Sequence, residues 1–167
     1  MDANNSEANT MKHLTKAERK SDRELVITRT FNGPARLVFK AWTTPELLKR
    51  WWAPKSIGST LVSCEVDART GGSYRFEFGH PSSDQTFAFF GKYLEVVQDA
   101  RIVWTNEESD DGAISTLTLE EKDGKTFLTL SEVYPTTAAR DEAMEGAAQG
   151  MPEQFEQLDA MLVELAA

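Results

Sequence analysis

The apolar positions of this chain change period twice, and the two changes divide it into three parts. Glu24 to Phe31 (ELVITRTF) is short, β-branched and bounded by Asn32-Gly33-Pro34, which predicts a strand ended by a turn. Leu37, Val38, Ala41 and Trp42 then fall on one helical face behind Pro34, a residue suited to a first helical position. Thr43-Thr44-Pro45-Glu46 repeats the start signal with a hydroxyl N-cap, proline and an acid in the first turn. Leu47, Leu48, Trp51 and Trp52 follow at helical spacing, and Ala53-Pro54 ends the run. Two short helices back to back are predicted.

From Ser59 to Tyr134 the period is that of strands separated by turns. The expected strands are Leu61 to Asp67, Ser73 to Phe78, Gln85 to Val97, Arg101 to Asn106, Ile114 to Glu121 and Lys125 to Val133. Tyr74, Phe76 and Phe78 alternate with Arg75 and Glu77, so one face is aromatic and the other charged. Gly91 interrupts the long strand as a candidate bulge. That leaves open whether Phe87 and Phe89 or Phe90 share the aromatic face. Asp123-Gly124 is a two-residue hairpin signal. Consecutive hairpin connections favour an antiparallel meander over parallel βαβ units.

Helical spacing returns in the last third. Thr136-Thr137 predicts the cap of a short helix through Met144, Gly146 and Gly150 weaken the middle, and Pro152 opens a final helix. Met151, Phe155, Leu158, Leu162 and Leu165 form its narrow apolar stripe. Burying that stripe against the aromatic face gives an α+β fold. It is a curved antiparallel sheet, built in the order strand, two short helices and about six strands, wrapped on a long C-terminal helix.

Composition narrows the function. The chain has 167 residues, which predicts one domain over 23–167 behind a flexible tail over 1–22. The tail, MDANNSEANTMKHLTKAERKSD, has no apolar stretch of a secretory signal, so a cytoplasmic location is expected. Eighteen Lys and Arg face 27 Asp and Glu, a net charge of −9. That balance argues against nucleic acid or anionic lipid as a general electrostatic partner. No apolar run is long enough for membrane insertion. A single cysteine, Cys64, excludes an internal disulfide and a cysteine-based zinc site, and it reads as a small buried hydrophobe.

The segments Ile27–Pro34, Val38–Trp52, Asp67–Phe76, Gly91–Val96 and Gly150–Leu162 occur in an order that resembles the helix-grip fold of the START/birch-pollen-allergen superfamily (SRPBCC). Within it the chain is similar to the branch named for the C-terminal domain of the activator of the ninety-kilodalton heat-shock ATPase. The resemblance covers about residues 23 to 166. It implies a scaffold that serves lipid carriers, hormone receptors, polyketide cyclases, lyases and co-chaperones alike. Many relatives carry Trp after the glycine opening the last helix. Met151 stands there in this chain, which implies a looser or larger pocket floor.

No motif for a metal, a cofactor or a catalytic triad is present. His13 lies in the tail, His80 lies in a turn beside Ser82 and Ser83, and there is no nucleophile elbow. Glu107, Glu108, Asp110 and Asp111 read as a solvated hairpin tip. The collective aromatic set is the informative feature, because a curved sheet gripping one helix does not close fully and leaves a concave apolar site. The expected lining is Trp42, Trp51, Tyr74, Phe76, Phe78, Phe87, Phe89, Trp104, Met151 and Phe155. Leu128, Leu130 and Glu132 share a strand face, so Glu132 is expected at the pocket rim as the candidate acid or base. The first expectation is a binding module for a small apolar or aromatic ligand, with Tyr74, Tyr93 or Glu132 orienting a polar end. A polyketide-cyclase-like or lyase-like enzyme using Glu132 is the second. A co-chaperone stimulating a heat-shock ATPase is the third, although such proteins carry a separate N-terminal domain that a 22-residue tail is not expected to supply. A homodimer is compatible with a small domain, and no stripe demands it.

Overall fold

The computed structural model describes residues 15–166. Its strands are β1 (Lys16–Arg19), β2 (Glu24–Phe31), β3 (Thr60–Val66), β4 (Ser73–His80), β5 (Ser83–Val97), β6 (Arg101–Thr105), β7 (Ile114–Lys122) and β8 (Lys125–Val133). The helices are α1 (Ala35–Thr43), α2 (Pro45–Trp51) and α3 (Thr137–Ala166), with a 3-10 turn at Lys55–Ile57. All strands join one eight-stranded antiparallel sheet in the order β1-β2-β8-β7-β6-β5-β4-β3. The helix pair therefore carries the chain from one side of the sheet to the far edge, and the meander β3–β8 brings it back beside β2.

Part of the segment expected as a tail is a strand. Lys16–Arg19 pairs with β2 as an edge strand, Ala17 opposite Ile27. Met1 to Leu14, His13 included, lie outside the described residues. The last helix also departs from expectation. Gly146, Gly150 and Pro152 do not divide it, and one helix of 30 residues runs through them. Pro152 lacks the N–H that would bond the carbonyl one turn back. Tertiary packing of the C-terminal half outweighs that local loss: Phe155, Leu158, Met161 and Leu162 are buried against the sheet.

Gly91 is not the bulge. It stays in register opposite Tyr74, and the register shift falls between Tyr93 and Glu95. Gly91 is needed for close approach, since a Cβ there would lie 2.0 Å from the Thr105 carbonyl oxygen. Asp123 and Gly124 take φ of 55° and 78°, as a tight primed hairpin turn requires.

The core joins three layers. Leu25 and Ile27 of β2, Leu117 and Leu119 of β7 and Leu128 and Leu130 of β8 are buried beneath the second half of α3 and beneath Val38 and Ala41 of α1. Arg29 is buried among them. It donates to the Phe155 carbonyl at 2.8 Å and to Asp159 Oδ2 at 2.9 Å, and it stacks on the Phe31 ring at 4.7 Å. The polar stripe of α3 serves the end of α2. Gln157 Nε2 donates to the carbonyls of Trp51 and Ala53, both at 3.0 Å, and Gln154 Nε2 donates to that of Trp52. Those of Trp51 and Trp52 are terminal carbonyls that a helix leaves without internal partners.

Candidate functional site

The two halves of α3 do different things. Its C-terminal half carries large side chains into the core. Its first half presents Ala143, Gly146, Ala147 and Gly150, a face of small residues at helical spacing. Small side chains do not fill the space above the concave sheet, and a cavity of about 590 Å³ remains. Strands β4, β5, β6 and β8 form its sheet wall. Trp42, Trp52, Pro54, Ile57, Ser59 and the first half of α3 close the other sides.

The walls are aromatic and held by contact with one another. Trp42 packs against Trp52 and Trp104 with ring centroids 5.5 and 5.9 Å apart, and Trp52 packs on Phe76 at 5.4 Å. Tyr74 lies 5.2 Å from Phe76 and 5.5 Å from Tyr93, and Phe78 meets Phe89 edge-on at 5.2 Å. Such offset and edge-on pairs give a rigid apolar surface. At the mouth, Ile57 and Phe87 are 57% and 68% exposed, so the entrance is apolar too.

Of the expected lining, Trp42, Tyr74, Phe76, Phe78, Phe87, Phe89, Trp104, Glu132 and Met151 border the cavity. Parity along β5 places Phe87 and Phe89 on its side, while Phe90 faces the outer surface. Trp51 and Phe155 do not border it. Trp51 is 1% exposed and its indole N–H donates to the Ala41 carbonyl at 3.0 Å. Phe155 is 1% exposed and meets Phe31 at 5.3 Å. Both are core residues, because the helix ends at Trp51 and the helix face that holds Phe155 has already reached the closed part of the sheet. Trp52, Asn106, Gly146 and Gly150 were not expected in the lining. Adjacent tryptophans offer no periodic signal that ranks one over the other. The glycines read as helix weaknesses when their bearing is on volume.

One end of the cavity is polar. The inward parity of Leu128 and Leu130 brings Glu132 to this wall, opposite Ser115 of β7. The Ser115 hydroxyl donates to Glu132 Oε2 at 2.9 Å and accepts from Asn106 Nδ2 at 3.0 Å. Asn106 Nδ2 also donates to the Ala113 carbonyl at 2.8 Å, which fixes the amide and turns Oδ1 towards the Tyr74 hydroxyl, 3.3 Å away. Tyr74 donates to the Thr105 carbonyl at 2.6 Å. Withdrawal from water pushes the Glu132 carboxyl above the usual carboxylate range. Hydrogen bonds from Ser115 and Tyr134 oppose that rise, and the charge of Glu108 adds to it. Burial likewise raises the phenols of Tyr74, Tyr93 and Tyr134.

The remaining candidates lie elsewhere. His80 is exposed at the end of β4, its Nδ1 2.6 Å from the Ser82 hydroxyl. Cys64 is half-buried opposite Phe76, and desolvation pushes its thiol up to about 11. Among the described residues no three His, Cys, Asp or Glu side chains converge as metal ligands. Among the described residues no helix is long and apolar enough to cross a membrane.

A curved antiparallel sheet, a helix pair at its edge and a long C-terminal helix closing over an aromatic cavity define a helix-grip domain of the START/birch-pollen-allergen class. Folds of this class commonly hold ligands. The chain belongs to the activator of Hsp90 ATPase homolog 1-like family, whose model matches residues 32–163. It is similar to a solved Rhodobacter sphaeroides protein at 26% identity and a TM-score of 0.82, over 90% of this chain and 99% of that one. A Staphylococcus epidermidis protein matches at 28% identity and 0.77, over 89% and 94%. A Chromobacterium violaceum protein matches at 30% identity and 0.69, over 83% and 96%. No protein with a curated description matches the chain.

Proposed function

We propose that the chain is a binding module that holds a small hydrophobic or aromatic ligand between the sheet and the first half of α3. The observation that carries this reading is the cavity itself. Its volume, about 590 Å³, lies within the range of small-molecule sites, and its walls are aromatic with a few polar groups at one end. Burial of apolar ligand surface would supply the affinity, at ~25 cal/mol per Å² before ordering losses. Rigid rings at the wall reduce those losses, because few side chains need to be ordered on binding. Native mass spectrometry of the freshly purified chain, compared with its denatured mass, tests the reading. A discrete adduct released on denaturation supports it. A bare chain that also takes up no added apolar probe opposes it.

A second reading has its own observation. Glu132 is a withdrawn carboxyl with a raised pKa, tied through Ser115 to Asn106, and such a group can move protons for a bound substrate. Under that reading the domain is a cyclase-like or lyase-like enzyme, and Glu132→Gln abolishes turnover while the ligand still binds. The family's description supports a third reading, with a chaperone ATPase as partner. Stimulation of that ATPase by the purified chain is its test.

A further inference from the structure

Among the described residues, the ionisable side chains that border the cavity are two tyrosines and Glu132, and no lysine, arginine or histidine lines it. The charge acting on Glu132 is another acid, Glu108, and its hydrogen-bond partners are neutral hydroxyls. A carboxyl withdrawn from water beside no cation is costly to ionise: alone it takes up a proton, and as a carboxylate it calls for a counter-charge, which a bound ligand can bring. A second hollow adjoins the cavity through a shared wall of Phe89, Asn106, Glu132 and Ala143. That hollow also carries Glu108, Asp111 and Glu142, again with no basic residue among the described ones. Acidic side chains therefore gather at the Glu132 end of the cavity and in the adjoining hollow, away from the tryptophans.

Resting on the binding reading above, we propose that the ligand is an amphipathic cation: an apolar or aromatic body in the tryptophan-lined chamber, and a protonated amine against the Glu132 carboxylate. The ordered chain Asn106–Ser115–Glu132 suits that role. Asn106 donates to Ser115, so the serine hydroxyl points its proton at Glu132 Oε2, and the carboxylate is held as an acceptor facing the ligand. Tyr74 and Trp104 border the same space, and the negative face of an aromatic ring is a second source of preference for a cation. An anionic ligand of the same shape would bring like charges together in a poorly solvated place.

The test uses the full chain and the neutral fluorescent probe N-phenyl-1-naphthylamine. Its displacement is followed with three competitors that share one ring system: 2-naphthylethylamine, 2-naphthylethanol and 2-naphthylacetate. The amine is expected to displace the probe at a concentration about tenfold or more below that of the alcohol, with the acetate weakest. In Glu132→Gln the amine loses that advantage over the alcohol. The wild-type order tests the charge assignment by itself, whatever the folding of the variant. A bound probe displaced equally by all three competitors, or best by the acetate, overturns the cation and leaves an apolar binding module. A probe that does not bind, with no competitor bound directly, overturns both.

Discussion

The glycines of α3 yield a prediction in which stability and binding move in opposite directions. Gly146 and Gly150 sit inside a helix, where glycine is less favourable than alanine by about 0.8–1 kcal/mol. A Cβ added at either position meets nothing within 4 Å. Gly146→Ala and Gly150→Ala together should therefore stabilise the fold by roughly 1.5–2 kcal/mol, because the helix gains propensity without a clash. For a domain of this size that raises Tm by roughly 3–8 °C. Leucine at both positions shares most of the helical gain and places two isobutyl groups in the chamber. Probe affinity should then fall about tenfold or more, equivalent to ~1.4 kcal/mol of lost burial and added overlap. Thermal unfolding followed by circular dichroism reads the first effect, and fluorescence titration with N-phenyl-1-naphthylamine reads the second. A double-alanine variant no more stable than the parent would show that local packing, and not chamber volume, requires the glycines. Leucine variants that bind the probe as the parent does would place the probe elsewhere.

Three further outcomes follow from groups around the chamber. Glu132 has a raised pKa in the folded state, so its neutral form is favoured by folding, and that contribution is lost as pH rises above the ordinary value of 4.5. Glu132→Gln, which cannot ionise, should gain in urea midpoint relative to the parent at pH 7.5 and lose that gain near pH 4; a difference independent of pH would refute this. The Arg29–Asp159 pair has side chains 2% and 28% exposed, so Asp159→Ala leaves a buried guanidinium short of its counter-charge. It should lose ~2–4 kcal/mol in urea denaturation, against ~0.5 for Glu164→Ala, which removes the exposed Arg50 pair. Equal losses would mean that the buried pair has no special weight. With its thiol at about 11, Cys64 should react with iodoacetamide at pH 8 about a hundredfold more slowly in the native chain than in urea. Similar rates in both would show an accessible, unperturbed thiol.

The strands were legible because their residues alternate or are β-branched, and turn signals separate them. The parity of β8 could be carried from Leu128 and Leu130 to Glu132 with no knowledge of the sheet. Other features depended on long-range contacts that no local pattern carries. Lys16–Arg19 is a short polar segment, and it becomes a strand only because β2 offers a free edge. Gly146, Gly150 and Pro152 read locally as breaks, and the helix is continuous because its far end is anchored in the core. Trp51 and Trp52 are neighbours on one turn, and only the position of α3 decides that Trp51 meets the core while Trp52 meets the chamber. Gly91 reads as a bulge in one dimension. In three dimensions its missing side chain admits the Thr105 carbonyl.

If the apolar ligand lies inside the chamber, the four tryptophans report on it. Titration of the 15N-labelled chain with N-phenyl-1-naphthylamine, followed through the indole N–H signals, places the ligand against an internal reference. Trp42, Trp52 and Trp104 border the chamber and should shift to saturation together. Trp51, buried and bonded to the Ala41 carbonyl, should move least. Indole signals that stay still at saturating probe, or a Trp51 signal that moves more than the other three, would contradict the account.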